Sequence, residues 1–510
     1  MPLLGKIIKR AIDLGEQITD NSKTPQEHQE EVLKKLLKKA KDTAFGKFYQ
    51  FEQLLESDSP IEEFRKKVPA FDYHRMHDAW WFKTVEGEVD ITWPGQPEYF
   101  ALSSGTTGNK SKRIPVTQEM IEAIRETGVK QVLSLSEHDL PDSFFEKQIL
   151  MLGSSTDLEE VNGHYEGEIS GISASNIPFW FKGYYKPGED IASIEDWDER
   201  VLAIAKQAPS WDIGAISGIP SWIELMLQKV VEHNKAETIH DIWPNLMVYN
   251  SGGVAFEPYR ASFDALTSKP MLYLDTYLAS EGFLAYQARP NDQMAMQLSI
   301  DSGIYFEFIP FKEEYFDENG SPIEDAPALS LSEVNEGEDY AMLISTVSGA
   351  WRYSIGDTIA FTNLERAEIK ITGRTKHYLN VVGSQLSVSK MNEAVQELEE
   401  AFGLQIPEFT VGAVKKDGEF IHQWFLGLAG DQKASESEVS QKLDEVLKSK
   451  NKNYKVARSK ALKGIDVKLI KADDFHDWNG KNKKKGGQVK TPRMMNEETL
   501  LEFEEFVRTK

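Results

Sequence analysis

Two stretches decide the fold: Leu246–Gly253, LMVYNSGG, and Met271–Gly282, MLYLDTYLASEG. Each opens on an apolar, β-rich run and breaks into polar residues and glycine, the pattern of a buried strand that delivers a loop. Helical periodicity flanks them at Trp197–Lys206 and Ile223–Val231, and Gln148–Leu152 (QILML) reads as a further buried strand ending in Gly153-Ser154-Ser155. Strands that alternate with helices predict an α/β sheet, in which ligands collect outside the carboxyl ends of the strands. The spacing places strands at Leu246–Tyr249 and Met271–Leu274, followed by the loops Asn250–Gly253 and Asp275–Gly282. Gly252 and Gly253 would let a flat ligand approach the backbone, while Tyr277 offers an aromatic face and Glu281 a carboxylate.

Upstream lies Ala101–Thr117, ALSSGTTGNKSKRIPVT. It gathers the hydroxyls of Ser103, Ser104, Thr106 and Thr107, the glycines Gly105 and Gly108, and the cations Lys110, Lys112 and Arg113. Glycines let successive N–H groups turn inward as an anion nest and hydroxyls add donors, so a polyphosphate suits the stretch; a polar surface loop has the same composition. It is not a P-loop, because Asn109 separates Gly108 from Lys110 and Arg113–Val116 reads as a strand. Thr117 is placed to cap a helix carrying Met120, Ile121 and Ile124.

Nearer the start, Leu4, Ile7, Ile8, Ala11 and Ile12 share one helical face, which we read as docked on the protein's own core rather than as a signal peptide. A second amphipathic helix spans Gln26–Lys41 with Val32, Leu33, Leu36, Leu37 and Ala40 inward, and Phe45–Phe51 reads as an aromatic turn. His74 and His77 sit one turn apart, but without a third ligand they make no metal site.

From Ile304 short strands with acidic connectors predict an antiparallel, barrel-like subdomain. Within Trp351–Phe361, WRYSIGDTIAF, Gly356-Asp357 reads as a turn between strands, and an aspartate held there suits the two hydroxyls of a ribose. The polar hinge at Arg374–Lys376 divides the chain into domains 1–374 and 375–510. The second is read as α+β, with a helix at Lys390–Phe402, strands at Phe409–Val414 and Gln423–Leu428, and a helix at Glu438–Leu447. Near the end, NGKNKKKGGQVKTPR at Asn479–Arg493 is a cationic loop.

Composition narrows the function. A chain of 510 residues exceeds one ordinary core. A net charge of -24 argues against a nucleic-acid binder. The absence of cysteine removes disulfides, thiolate zinc sites and thiol nucleophiles. No run approaches the roughly 18 apolar residues of a membrane span, and a cytoplasmic location is expected.

The motifs SSGTTG (Ser103–Gly108), YLASE (Tyr277–Glu281), RYSIGD (Arg352–Asp357), TGRTKHYLNVVGSQLS (Thr372–Ser387) and QVKTPR (Gln488–Arg493) stand in one order along the chain. In that order the sequence resembles the auxin-responsive Gretchen Hagen 3 family of acyl-acid amido synthetases, a branch of the adenylate-forming superfamily. The resemblance implies an α/β fold: a large N-terminal adenylating domain of mixed sheets flanked by helices, with a barrel-like subdomain, and a smaller mobile α+β lid. It implies ATP and Mg²⁺ as cofactors and a small carboxylic acid and an amino acid as substrates. The acid would be adenylated, releasing pyrophosphate, and the acyl group passed to the amine.

By the same likeness Ser103, Ser104, Thr106 and Thr107 hold phosphates, and Gly252, Gly253 and Tyr277 hold adenine. Ser280 touches the α-phosphate and Glu281 binds Mg²⁺; Asp357 holds the ribose, and Arg374 contacts ribose or phosphate. Lys490 is the catalytic cation, with Lys484 and Lys485 as rivals in the same lysine-rich loop. An acyl-CoA ligase sharing the first step and a silent nucleotide-binding scaffold stay open as alternatives. Trp351 stands where plant relatives have tyrosine, and Gly282-Phe283 also depart from their pattern, so no plant hormone is inferred as substrate. The acyl pocket is expected to draw on Val129–Leu135, Trp180–Tyr185 and Ile213–Trp222. The sequence leaves the acid, the amino acid and the oligomeric state open.

Overall fold

The computed structural model describes residues 23–103, 112–177, 182–253, 256, 259–317, 320–375, 378–379, 386–416, 419–430, 433–460, 462–482 and 491–510. The expected helix around residues 4–12 lies outside them. The chain divides into two compact units, Met1–Gly253 with Leu266–Lys370, and Val254–Ala265 with Ile371–Lys510.

In the first unit, α1 (Pro25–Ala40) starts at a capping box: Thr24 Oγ1 accepts from the Glu27 amide at 3.3 Å, and the Glu27 carboxylate accepts from the Thr24 amide at 2.7 Å. Its buried stripe is Val32, Leu33, Leu36, Leu37 and Ala40, as its periodicity predicts. The aromatic turn expected at Phe45–Phe51 is instead two short helices, Ala44–Phe48 and Phe51–Glu56. The first is nucleated by Thr43, whose Oγ1 accepts from the Gly46 amide at 3.0 Å, a cap the aromatic spacing does not reveal.

A four-stranded sheet contains β1 (Tyr99–Ser103), β2 (Lys112–Val116), β4 (Glu159–Val161) and β5 (His164–Gly167) in the order β2-β1-β5-β4. β1 and β2 form an antiparallel hairpin with Ser103 opposite Lys112. α2 (Gln118–Ser134) follows, capped by Thr117, whose Oγ1 accepts from the Met120 amide at 3.2 Å.

The main sheet has eleven strands. Its parallel part runs β6 (Tyr185–Lys186), β3 (Gln148–Leu152), β7 (Ile213–Gly218), β8 (Val248–Gly252) and β9 (Leu272–Ala279). Between them in sequence come α3 (Trp197–Gln207) and α4 (Pro220–Asn234), joined by an edge-on contact of Trp197 and Trp222 with ring centres 4.7 Å apart. The sheet then continues through β10 (Gly282–Tyr286), β11 (Met296–Leu298), β15 (Glu368–Arg374), β14 (Tyr353–Asn363), β13 (Asp339–Thr346) and β12 (Ile304–Pro310). The β9–β10 hairpin is the joint at which parallel pairing gives way to antiparallel.

Two expectations change here. β8 and β9 run further than their apolar cores suggest, because the parallel ladder carries Ser251 opposite Asp275 and Gly252 opposite Thr276. Residues read as loop are therefore strand ends, since backbone pairing is indifferent to their polar side chains. Gly356-Asp357 is also no turn between strands but lies inside β14. Ser354 and Thr358 face Leu343 and Ala341, so β14 bulges there, and Gly356 takes φ +82°.

The second unit holds α5 (Arg260–Leu266), β16 (Tyr378–Leu379), β17 (Leu386–Ser387), α6 (Val388–Phe402), β18 (Glu408–Lys416), β19 (Glu419–Leu428), α7 (Glu436–Lys450), α8 (Lys452–Lys460), β20 (Leu462–Lys471), α9 (Ala472–Asn482) and α10 (Glu497–Arg508). β19 pairs antiparallel with β18 and parallel with β20. Side chains alternate across this sheet. Phe409, Val411, Trp424 and Leu426 pack with Val439, Leu443 and Leu447 of α7, while Val414 and Phe425 pack with Phe475, Trp478 and Phe503 of α9 and α10.

Candidate active site

Of the groups singled out in the sequence, Gly252, Tyr277, Ser280, Glu281 and Asp357 come together around the ends of β8 and β9. A Cβ on Gly252 would lie 2.9 Å from Thr276 Oγ1, which itself donates to the Ser251 carbonyl at 2.8 Å. Glycine thus keeps the β8 end open beside β9. Gly253 follows with φ +85°. Ser280 and Glu281 form the two-residue turn between β9 and β10, closed by Ala279 opposite Gly282.

Tyr277, on β9, is 6% exposed, and its hydroxyl donates to Asp357 Oδ2 in the β14 bulge. Four strand steps separate β9 from β14 in the sheet order. In a flat sheet these would span about 19 Å at roughly 4.8 Å per step, further than a tyrosine and an aspartate reach. The sheet therefore curls on itself between β9 and β14, and this closure gives the antiparallel part its barrel-like form.

The same curl brings Tyr353 to Glu281. Burial, then the negative charge of Glu281, holds the Tyr353 phenol well above its ordinary range, so its hydroxyl stays protonated beside the Glu281 carboxylate.

Arg352 is an anchor beneath the site. It adopts φ +43°, its Nε donates to Glu307 Oε2 at 3.0 Å, and its Nη1 donates to the Arg65 and Val68 carbonyls at 2.8 and 2.6 Å. The RYSIGD motif thus carries distinct tasks: Arg352 fixes the start of β14, Tyr353 meets Glu281, Gly356 makes the bulge and Asp357 meets Tyr277. Sequence reasoning passed over Tyr353 and Glu307. Glu307 had a signal, as a lone carboxylate inside the apolar run IYFEFIP.

Ser103 is half-buried at the end of β1, while Ser104, Thr106 and Thr107 lie outside the described residues. Arg113, read with the phosphate cations, is engaged inside the fold: its Nε donates to Glu166 Oε1 at 2.6 Å, and His164 Nε2 lies 3.0 Å from the same oxygen. Burial opposes the charge on Glu166, but hydrogen bonds from Arg113 and His164 outweigh it and hold the carboxyl below its usual range. Of the stretches expected to line an acyl pocket, Val129 and Val132 are exposed on α2, Trp180 is outside the described residues, and Trp222 is buried against Trp197. His74 is exposed, and His77 Nδ1 lies 3.1 Å from Asp78 Oδ1.

In the second unit Arg374 ends β15 with its side chain exposed, and Lys490 lies outside the described residues. The described end of QVKTPR, Thr491–Arg493, is pinned. Asn479 Nδ2 donates to Thr491 Oγ1 at 3.1 Å, and Arg493 Nη1 donates to Glu408 Oε2 at 2.9 Å with its guanidinium 4.5 Å from the Phe409 ring centre. Glu408 Oε1 also accepts from the Tyr259 hydroxyl.

Among the described residues no group of three or more histidines and carboxylates is arranged to hold a metal, and no helix is long and apolar enough to cross a membrane.

A sheet that is parallel on one side and curled antiparallel on the other, with a separate α+β unit, is the fold of adenylate-forming ligases. The chain superposes on 2-hydroxyisobutyryl-CoA ligase, solved in the postadenylation state in complex with R3-HIB-AMP, with a TM-score of 0.59 and 12% identity over 95% of this chain and 92% of that one. It superposes on the GH3.15 acyl acid amido synthetase with a TM-score of 0.78 and 17% identity over 98% and 96%. Models of the GH3 family N-terminal, central and C-terminal domains match residues 15–204, 297–374 and 389–499, and the chain belongs to the GH3 family. It is 22% identical to jasmonoyl--L-amino acid synthetase JAR6 of Nicotiana attenuata, over 97% of this chain and 95% of that protein. Its match to indole-3-acetic acid-amido synthetase GH3.2 of Arabidopsis thaliana, at 23% identity, spans 46% of this chain and about half of that relative, 45%.

Proposed function

We propose that the protein is an ATP-dependent acyl-acid amido synthetase that joins a small carboxylic acid to an amino acid. The observation that carries this reading is the meeting of Gly252, Tyr277, Glu281 and Asp357 around the ends of β8 and β9 in a chain of the GH3 family. In the first half-reaction a carboxylate oxygen of the acid attacks the α-phosphorus of ATP, the bond to the bridging oxygen breaks, and pyrophosphate leaves. In the second, the amine nitrogen attacks the acyl carbonyl, the carbon–oxygen bond to AMP breaks, and the amine loses a proton. Both steps need positioning and charge balance rather than a protein nucleophile, which suits a chain without cysteine.

Gly252 and Gly253 give the adenine a close approach to the backbone, and the Tyr277 ring gives it a face. Asp357 takes the ribose hydroxyls. Ser280 donates to the α-phosphate, Ser103, Ser104, Thr106 and Thr107 hold the phosphates, Arg374 contacts ribose or phosphate, and Lys490 carries positive charge to the reacting phosphate.

The donor set fits Mg²⁺: Glu281 is a hard oxygen ligand whose negative charge is felt by the buried Tyr353, and the ion's other ligands would come from phosphate oxygens and water. When bound, Mg²⁺ neutralises phosphate charge. Residues 1–374 bind ATP and the acid in this reading, and 375–510 supply Lys490. A site using ATP and Mg²⁺ suits the cytoplasm.

Transfer to the thiol of CoA is the second reading, favoured by the fold shared with a CoA ligase. The test is ATP–pyrophosphate exchange across a panel of small carboxylic acids, followed by mass spectrometry of products with amino acids and CoA offered together. We expect exchange with at least one acid and an amide product. No exchange with any acid refutes the reading, and a thioester product replaces the acceptor. Glu281→Gln should lower exchange by about a hundredfold, as removal of a charge contact made in the transition state does.

A further inference from the structure

We propose that the Tyr277 hydroxyl is a positioning group for the sugar: it sets the Asp357 carboxylate for the ribose, so that one side chain faces the base with its ring and orders the ribose acceptor with its oxygen. This deepens the ATP reading and rests on it. Three features of the fold support it. The bond joins strands four steps apart, so it spans the mouth of the curled sheet. Asp357 reaches it only because β14 bulges at Gly356. Tyr277 is also held from behind, buried in the core and paired with Ala285 of β10, so its oxygen is a fixed donor.

A carboxylate on a bulge can rotate about its side-chain bonds, and a ribose offering two donors needs both its oxygens aimed. A tyrosine donor bound to one oxygen removes that rotation before the nucleotide arrives. A tyrosine serving only as a flat surface for adenine needs no hydroxyl, and phenylalanine would do as well.

The test compares wild-type protein with Tyr277→Phe in ATP–pyrophosphate exchange, using ATP and 2′-deoxyATP. The substitution removes one oxygen and adds no volume, and near-ultraviolet circular dichroism checks the fold. We expect the KM for ATP to rise about tenfold, the size of one hydrogen bond to a charged group. The KM for 2′-deoxyATP should move little and kcat less than KM, so the preference for ribose shrinks. In the Tyr277→Phe/Asp357→Ala double variant the KM for ATP should equal that of Asp357→Ala alone, because the hydroxyl acts only through the carboxylate. An unchanged ribose preference in Tyr277→Phe, or additive losses in the double variant, overturns the inference while leaving ATP use intact. Failure of the wild-type protein to exchange with any nucleotide overturns the underlying reading instead.

Discussion

Acid should weaken the second unit through one histidine. His422 lies on β19 opposite Ala413, fully buried, and neither ring nitrogen has a hydrogen-bond partner among the described residues. Burial first, and then the positive charge of Arg458, push its pKa down to about 3, with Asp444 opposing. The unfolded chain therefore binds a proton at His422 between about pH 6.5 and 3 that the folded chain refuses, so stability falls as pH falls through that window. The slope is about 1.4 kcal/mol per pH unit, or roughly 3 kcal/mol between pH 6.5 and 4.5. Asp444, held at about pKa 2 mainly by Arg458 and Lys448 against its burial, adds to the loss only below its ordinary value of 3.8. Hydrogen exchange of the β18–β20 amides at pH 6.5, 5.5 and 4.5, corrected for intrinsic rates, reads this stability. His422→Phe keeps a ring beside Tyr454, whose ring centre is 5.7 Å away, and removes the titration. A pH slope as steep in His422→Phe as in the wild type would refute the reasoning.

Other substitutions test the supports of the site. Arg352→Met leaves the buried Glu307 carboxylate without its closest cation; we expect a loss of about 3–5 kcal/mol in chemical denaturation, much of it recovered by adding Glu307→Met. Gly356→Ala places a side chain at φ +82°, which should cost about 1–2 kcal/mol and raise the KM for ATP by displacing Asp357, measured by pyrophosphate exchange. Glu408→Gln removes the countercharge of Arg493; the Met495 amide, bonded to the Val411 carbonyl at 3.0 Å, should then exchange with solvent measurably faster.

Much of this was legible because local chemistry carried it. The stripe of α1 follows from helical spacing, the Thr117 cap from one residue at the head of a helix, and β2 from the short run Arg113–Val116, whereas its partner β1 went unread. The YLASE and RYSIGD motifs mark the candidate site because side chains that bind polar ligands leave a composition unlike a core. What the chain hides is what depends on closure of the sheet. Nothing near Tyr277 in sequence announces Asp357 as its partner, since the bond exists only once β9 and β14 curl together. Tyr353 reads as an ordinary apolar strand residue until the same curl sets it against Glu281. The bulge at Gly356 looked like a turn because glycine followed by aspartate serves both, and only pairing with β13 separates them. β20 and α8 were missed among lysine-rich sequence, and α9 and α10 among acidic residues, where the charged side chains conceal the apolar positions.

The second unit is assembled from two separated lengths of chain, and that bears on modular recombination. A C-terminal cassette cut at Ile371 and grafted onto a relative would leave behind α5, and with it the Tyr259 hydroxyl bound to Glu408 and the packed pair Phe256 and Phe263. A chimera with a single crossover at the hinge inherits a mismatched lining around the carboxylate that holds Arg493, three residues past Lys490. Two crossovers, carrying Val254–Ala265 along with the tail, would transplant the unit whole.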